Sequence, residues 1–393
     1  MTIEAVPIHR GGRKRPPEPP HVDPGLFGVY VHVPFCLTRC HYCDFVTYTG
    51  MEGLRRPYAA ALGEEAAMVA TTLGTEPPEV TSVFVGGGTP TLLPPGDLGR
   101  LLARLRELLV FAAGVTRVSM GAQSFDDRVL AALGRVHDAG RVAAAVAALR
   151  GAGVPALNLD LIYGGPGEDA GSWAATLEAA IALEPEHLSA YALTIEPATK
   201  FGRLVAAGRM AEPGEDDLAD RYDTACAVLA VAGYHHYEVS NWARDGAAGV
   251  GRGPSARRRT VTRIPSHASR HNLTYWRRGR YLGLGAGAHE FDGATRRWNV
   301  DGVPAYLAAV REHRRPTSGQ ERLDTGPARF EALALRLRTV EGLDPAEARS
   351  LAADPSGTQA QELRQAGLLA PGPGLRLTEK GMFLHGEVVA RLA

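Results

Sequence analysis

Three of the chain's four cysteines fall within eight positions, in the run Cys36-Leu37-Thr38-Arg39-Cys40-His41-Tyr42-Cys43. The fourth, Cys226, lies far from them in an Ala-rich helical stretch and reads as a packed thiol. A disulfide framework would not crowd three cysteines together and leave one remote partner. A metal centre in a reducing, cytoplasmic setting fits better. Three thiolates in a C-x3-C-x2-C spacing suit three irons of a [4Fe–4S] cluster. The fourth iron is then open, as catalytic metal sites keep an open position. With His41 or His32 as a fourth ligand, the same residues make a zinc site.

Other residues of chemical interest follow. Gly86-Gly87-Gly88-Thr89-Pro90-Thr91 lets backbone approach a ligand closely, or simply makes a tight turn. Asp160 near a strand end can accept from ribose hydroxyls, and Arg135 can hold a carboxylate bidentately. The plainer roles for these two are a helix cap and a surface ion pair. His271, in His271-Asn272-Leu273-Thr274-Tyr275-Trp276, is either a ligand beside aromatics that can pack on a flat cofactor or a hydrogen-bonded histidine shaping its loop. Gly285-Ala286-Gly287-Ala288-His289 lines a flat cofactor surface or makes a turn. His235 and His236 are neighbours on a strand, so they point apart and are poor joint ligands.

The elements that must carry these residues alternate. Strands are expected over Phe27 to Val33, Val80 to Val85, Arg117 to Gln123, Ala156 to Tyr163 and His187 to Ile195. Helices are expected from Pro57 to about Leu73, Asp97 to Leu109, His137 to Gly151 and Trp173 to Ala182. Such alternation means βαβ units, a parallel sheet, and chemistry at the C-terminal strand ends. From Gly326 the chain is helical again, with a hairpin over 368–377, which suggests a small winged-helix-like domain.

Composition narrows the classes. Lys plus Arg and Asp plus Glu both number 43 in 393 residues, so a global electrostatic grip on nucleic acid is not expected. No apolar run reaches the roughly 18 residues of a spanning helix. The basic, Pro-rich N-terminus has no apolar h-region and reads as a solvated tail rather than a secretory signal or a nucleic-acid arm.

Together, these motifs resemble the radical S-adenosylmethionine superfamily. The narrower resemblance is to the branch holding oxygen-independent coproporphyrinogen III dehydrogenases and the haem chaperone (HemW) family. It is carried by Tyr30-Val31-His32-Val33-Pro34-Phe35-Cys36, the cysteine triplet, the triple glycine, Gly121-Ala122-Gln123-Ser124-Phe125, Gly134-Arg135-Val136-His137 and Leu159-Asp160-Leu161-Ile162-Tyr163-Gly164. Cys36, Cys40 and Cys43 would then hold the cluster, whose open iron chelates S-adenosylmethionine and whose electron cleaves it. Tyr30 and Tyr42 would flank that molecule, Gly87, Gly88 and Thr89 would meet its methionine end, and Gln123, Arg135 and Asp160 would surround it. Phe45 stands where the dehydrogenases have a further cysteine, and the H-N-x-x-Y-W run at His271 matches the chaperones.

The resemblance implies an α/β fold: a partial (β/α)6-type barrel, lacking one βα unit, with a smaller, mainly helical, winged-helix-like C-terminal domain. The expected division is a tail over 1–25, a radical SAM core over 26–240, a connector over 241–289 and a C-terminal domain over 290–393. The implied function is haem binding and transfer to acceptor haemoproteins, such as a respiratory enzyme. The alternatives are a coproporphyrinogen dehydrogenase and an inactive paralogue. Two departures stand out. Only Val110 to Thr116 separate a helix from the next strand where the family has a further strand and helix. A crossover alone takes about ten to twelve residues, so that unit is missing. The second is an insertion over 245–269 containing Arg252, Arg257, Arg258, Arg259 and Arg263. It is a solvated loop or a binder of phosphate or haem propionates.

Overall fold

A computed structural model describes residues 22–74, 77–109, 114–246 and 263–393. The expected tail, up to residue 21, and the arginine-rich part of the insertion lie outside the described residues.

The first half alternates as expected. β1 (Phe27–Val33) leads through the cysteine loop to α1 (Arg55–Ala70), then β2 (Ser82–Gly87), α2 (Pro95–Leu108) and β3 (Val118–Gln123). Next come α3 (Asp127–Ala132), α4 (Ala139–Gly151), β4 (Leu157–Tyr163), α5 (Ala170–Ala182) and β5 (His187–Ala192). Two boundaries differ for clear reasons. α5 starts at Ala170, ahead of Trp173, because Asp169 and Ser172 close a capping box there. β2 runs into its glycines rather than stopping before them, since Gly86 and Gly87 pair with His32 and Val33.

α6 (Lys200–Ala206) and α7 (Glu215–Val231) precede β6 (His235–Glu238) and β7 (Asn241–Ala243). α8 (Arg270–Trp276) carries the His271 motif. After it, β8 (Arg280–Leu284) pairs in parallel with β1. β9 (His289–Phe291), β10 (Thr295–Asn299), α9 (Val303–Arg311) and β11 (Thr317–Arg322) extend that edge with antiparallel strands. Sequence reasoning offered no strands there, because β11 is almost wholly exposed and lacks an apolar alternation. The C-terminal region is helical: α10 (Thr325–Leu337), α11 (Pro345–Ser350), α12 (Thr358–Gln365), α13 (Glu379–Phe383) and α14 (His385–Leu392). A Leu369–Leu377 bridge marks the expected hairpin.

The strands form two sheets, not one closed barrel. One has the order β11-β10-β9-β8-β1-β2, the other β3-β4-β5-β7-β6. The break falls between β2 and β3, where the sequence lacks a unit, and among the described residues neither strand is paired across it. Each sheet has its own core. Val29, Val31, Leu62, Leu105 and Leu284 pack on the first side. Leu159, Trp173, Leu188, Leu229 and Trp242 pack on the second, continuous with Leu333, Leu363 and Val388 of the C-terminal helices.

Candidate functional site

The cysteine loop is held at both ends by backbone. Cys36 N–H donates to Tyr48 O at 2.9 Å and Tyr48 N–H to Pro34 O at 2.7 Å, so the loop leaves and re-enters beside the end of β1. His41 ties the middle to the second sheet's helices. Its N–H donates to Leu133 O at 3.1 Å, its carbonyl accepts from Phe201 N–H at 3.0 Å, and Nδ1 lies 3.1 Å from Ala132 O. Its Nε2 is 2.8 Å from Lys200 Nζ. Both imidazole nitrogens are therefore engaged in bracing the loop, which leaves no lone pair for a metal. His32 is engaged too, between Tyr30 Oη and Val46 O.

All three thiols are free, and Cys36, Cys40 and Cys43 are partly exposed. Among the described residues no three His, Cys, Asp or Glu side chains gather closely enough for a single metal ion. One tetrahedral zinc would need its sulfurs about 3.8 Å apart, given Zn–S bonds of about 2.3 Å. The donor set, all soft thiols on one loop, suits an iron–sulfur cube, whose ligands stand further apart. The surroundings fit such a group. Burial raises the Cys36 thiol's pKa, a hydrogen bond from Thr89 opposes that shift, and the Cys43 and Cys40 thiolates add to it. A cationic iron core removes that like-charge penalty. Gly88 must be glycine, since a Cβ there would sit 2.5 Å from Phe35 O and 2.9 Å from Cys36 Sγ.

Arg135 stands beside Cys40, and Gln123 and Arg135 both lie over Gly121. A bulge at the end of β3 puts Gln123 at φ +66°. Arg135 Nη1 donates to Cys40 Sγ at 3.2 Å and Nη2 to Gly121 O at 2.9 Å. Among the described residues, Gln123 Oε1 and Arg135 Nε are buried with no hydrogen-bond partner. Several other arginines leave Nε unpaired too, so the Gln123 oxygen is the more telling of the two. Tyr42 packs in the small cluster of Val129, Leu133 and Phe201, and burial raises its hydroxyl pKa.

Below the loop the two sheets present different walls. On the first, Tyr30 stacks on Phe84 at 6.1 Å, and His271 stacks on Phe84 at 5.3 Å. Tyr275 meets His271 edge-on at 5.0 Å and Tyr281 at 4.7 Å. Burial pushes the Tyr30 hydroxyl up to about 12. The second wall is polar. Ser119 Oγ donates to Asp160 Oδ2 at 2.9 Å and Asn158 Nδ2 to Asp160 Oδ1 at 2.7 Å. Burial raises the Asp160 carboxyl's pKa, and these hydrogen bonds and Arg135 oppose that shift. Strand alternation explains the wall, because residues two apart share a face.

His271 lies at the base, 6% exposed. Ser82 Oγ is 3.0 Å from its Nδ1, and Tyr275 Oη is 2.9 Å from its Nε2. Burial holds its pKa down to about 4, so it is neutral. Coordination by His271 requires one of those two bonds to open. Gly285 and Gly287 make a turn: both have positive φ, and a Cβ on Gly285 would meet His32 O at 2.5 Å. His235 and His236 diverge as expected, His236 stacking on Trp242 at 4.3 Å and His235 lying 3.8 Å from Asp245. Sequence reasoning missed Asn158, His187 and Tyr237. The available signal was a polar residue at alternate positions of otherwise apolar strands, as in Asn158/Asp160 and His187/Ser189.

Comparison with known proteins agrees with this picture. The radical SAM superfamily profile matches residues 30–111 and 100–180. Coproporphyrinogen III oxidase (HemN) from Escherichia coli, a radical SAM enzyme, superposes with a TM-score of 0.73 over 93% of this chain and 90% of its own, at 21% identity. The fold is thus that of a radical SAM protein. The haem chaperone HemW of Mycobacterium tuberculosis is 38% identical over 420 aligned positions, covering 100% of both chains. HemW of Bacillus subtilis is 32% identical over 80% of this chain and 84% of its own. The chain belongs to the haem chaperone HemW family.

Proposed function

We propose that this protein is a cytoplasmic haem chaperone. It holds a [4Fe–4S] cluster on Cys36, Cys40 and Cys43, binds S-adenosylmethionine beside it, takes up haem and hands it to an acceptor haemoprotein. The observation that carries the reading is the loop of three free thiols with Arg135 donating to Cys40 Sγ and, by Gly121, Gln123 Oε1 buried without a partner among the described residues. A ligand with a hydroxyl or amine donor satisfies that oxygen, and S-adenosylmethionine has both. When bound, the cluster supplies an electron and an open coordination position. The chain's own part is to orient. Thr89 and Arg135 direct hydrogen bonds at Cys36 and Cys40, Gly87 and Gly88 let backbone come close, and Asp160 offers a fixed acceptor to a ribose. The Tyr30–Phe84 wall supplies a flat apolar face for a porphyrin. Leu37 and Phe45, 65% and 68% exposed on the cysteine loop, extend apolar surface to the rim.

An anaerobic haem titration of the cluster-reconstituted chain, followed by absorbance, tests this beside His271→Ala. Saturable binding near one haem per chain is expected, weakened at least tenfold in the variant if imidazole is the ligand. Saturable binding that ignores the substitution would move the ligand elsewhere. No saturable binding by the intact chain would sink the chaperone reading. One observation favours a second reading, a scaffold that has lost cofactor binding: the unpaired edges of β2 and β3. Failure of a reconstituted chain to bind S-adenosylmethionine would support it.

A further inference from the structure

A buried chain of hydrogen bonds runs from Asp160 to the start of α8. Tyr237 Oη accepts from Ser269 N–H at 3.1 Å and lies 2.8 Å from His187 Nε2. His187 Nδ1 lies 2.6 Å from Asn158 Oδ1, and Asn158 Nδ2 donates to Asp160 Oδ1 at 2.7 Å. Tyr237 is 0% exposed, His187 2% and Asn158 5%.

The direction of every link follows from its neighbours. Asp160 and Ser119 Oγ take the Asn158 amide nitrogen's protons, so Asn158 Oδ1 faces His187 as an acceptor. The neutral imidazole then carries its proton on Nδ1 and donates to Asn158 Oδ1. That leaves His187 Nε2 to accept the Tyr237 hydroxyl proton, while Tyr237 Oη accepts from Ser269 N–H. Reversing the chain would set the Asn158 carbonyl against the Asp160 carboxylate, two acceptors without a proton between them. The orientation of all three side chains is therefore set by the carboxylate. Ser269 is also the N-cap of α8, its Oγ accepting from Asn272 N–H. α8 packs against β1, β2 and β8 and carries His271, so it joins the aromatic wall to the polar one.

We propose that Asn158, His187 and Tyr237 are positioning residues that couple occupancy of Asp160 by a ribose-bearing cofactor to the placement of α8 and the aromatic wall. The proposal rests on the reading of Asp160 as part of the S-adenosylmethionine site. Ribose hydroxyls donating to Asp160 compete with the Asn158 amide. The chain passes an adjustment to Tyr237 Oη and so to the first turn of α8, with side branches at Ser119 and Ser189, which hold the two ends of the Asn158 amide. By reciprocity, a ligand that moves α8 changes the affinity of the cofactor by the same factor.

The test uses the full chain, anaerobic and cluster-reconstituted, with S-adenosylmethionine as the probe. Binding is read by calorimetry, and hydrogen exchange is followed over 267–277 with and without the probe. Saturation is expected to change exchange in this segment at least threefold. Tyr237→Phe should bind the probe and lose that response. A bond that merely stabilised α8 would alter exchange equally in both states and leave the difference intact. Binding with no response in the unaltered chain overturns the coupling while leaving the cofactor reading in place. A response that survives Tyr237→Phe overturns it too. No binding at all removes the cofactor reading and the coupling with it. The arm on the unaltered chain decides the matter even if Tyr237→Phe fails to fold, and His187→Gln then provides the second break.

Discussion

Single atoms decide much at the cysteine loop. At Gly88 the space for a side chain is taken by Phe35 O and Cys36 Sγ. Gly88→Ala must therefore displace the loop backbone or the thiol. We expect iron and sulfide bound after reconstitution to fall by more than half, with stability lowered by roughly 1–3 kcal/mol, the cost of an overpacked site. Iron analysis and a urea midpoint check both. Histidine burial has a consequence for acid stability. His236 is partly buried, stacked on Trp242, and loss of hydration there holds its pKa down to about 4. Its folded pKa is depressed, so the unfolded chain binds more protons below about 6.5. Its contribution is present above that pH and is lost as pH falls towards 4. Denaturation series at several pH values should show His236→Phe flattening the slope by about 1 kcal/mol per pH unit between 6 and 4.5. An unchanged slope would mean that the imidazole titrates normally.

At the level of elements, the alternation of apolar strands and Ala-rich helices was legible as far as β5, because period-2 and period-3.6 patterns survive on buried faces. It failed at β9 to β11, where exposed strands are held by neighbours rather than by their own pattern. The missing unit was legible from the short 110–116 link only against the family that the motifs resemble. Its effect was not, since only the folded chain shows that β2 and β3 stay apart. An unpaired edge leaves its outward amides to solvent. Hydrogen exchange of the apo chain should therefore show β3 (118–123) exchanging at least tenfold faster than β4 (157–163), which is paired on both sides. Equal protection would show the seam closed in solution.

Across the whole molecule, two cores meet, and Arg277–Glu341 and Arg296–Glu331 tie the first half to the C-terminal helices. Arg117 reaches His267 O, Ser269 N–H reaches Tyr237, and at the strands' C-terminal ends the cysteine loop does the joining. Cys36 belongs to the first half through Thr89 and Tyr48, and Cys40 to the second through Arg135. A cluster gripping both would span the two halves. Reconstitution should raise the thermal midpoint by at least 5 °C, consistent with metal binding adding to folding free energy. Cys40→Ala should abolish that rise, whereas Cys226→Ala, buried in α7 away from the loop, should keep it.

The sequence by itself determined the thiol triplet and the alternating architecture, and its motifs carried the resemblance against which the short 110–116 link stands out. The triplet and the alternation depend on residue type and spacing, which need no third dimension. The pairing of Asp160 with Asn158, His187 and Tyr237 was decided only by tertiary structure. So were the capture of both His271 nitrogens by Ser82 and Tyr275, and the division of the barrel into two sheets. Asn158–His187, His187–Tyr237 and Ser82–His271 join residues 29, 50 and 189 positions apart. A polar side chain's role depends on which partner satisfies it once water is excluded.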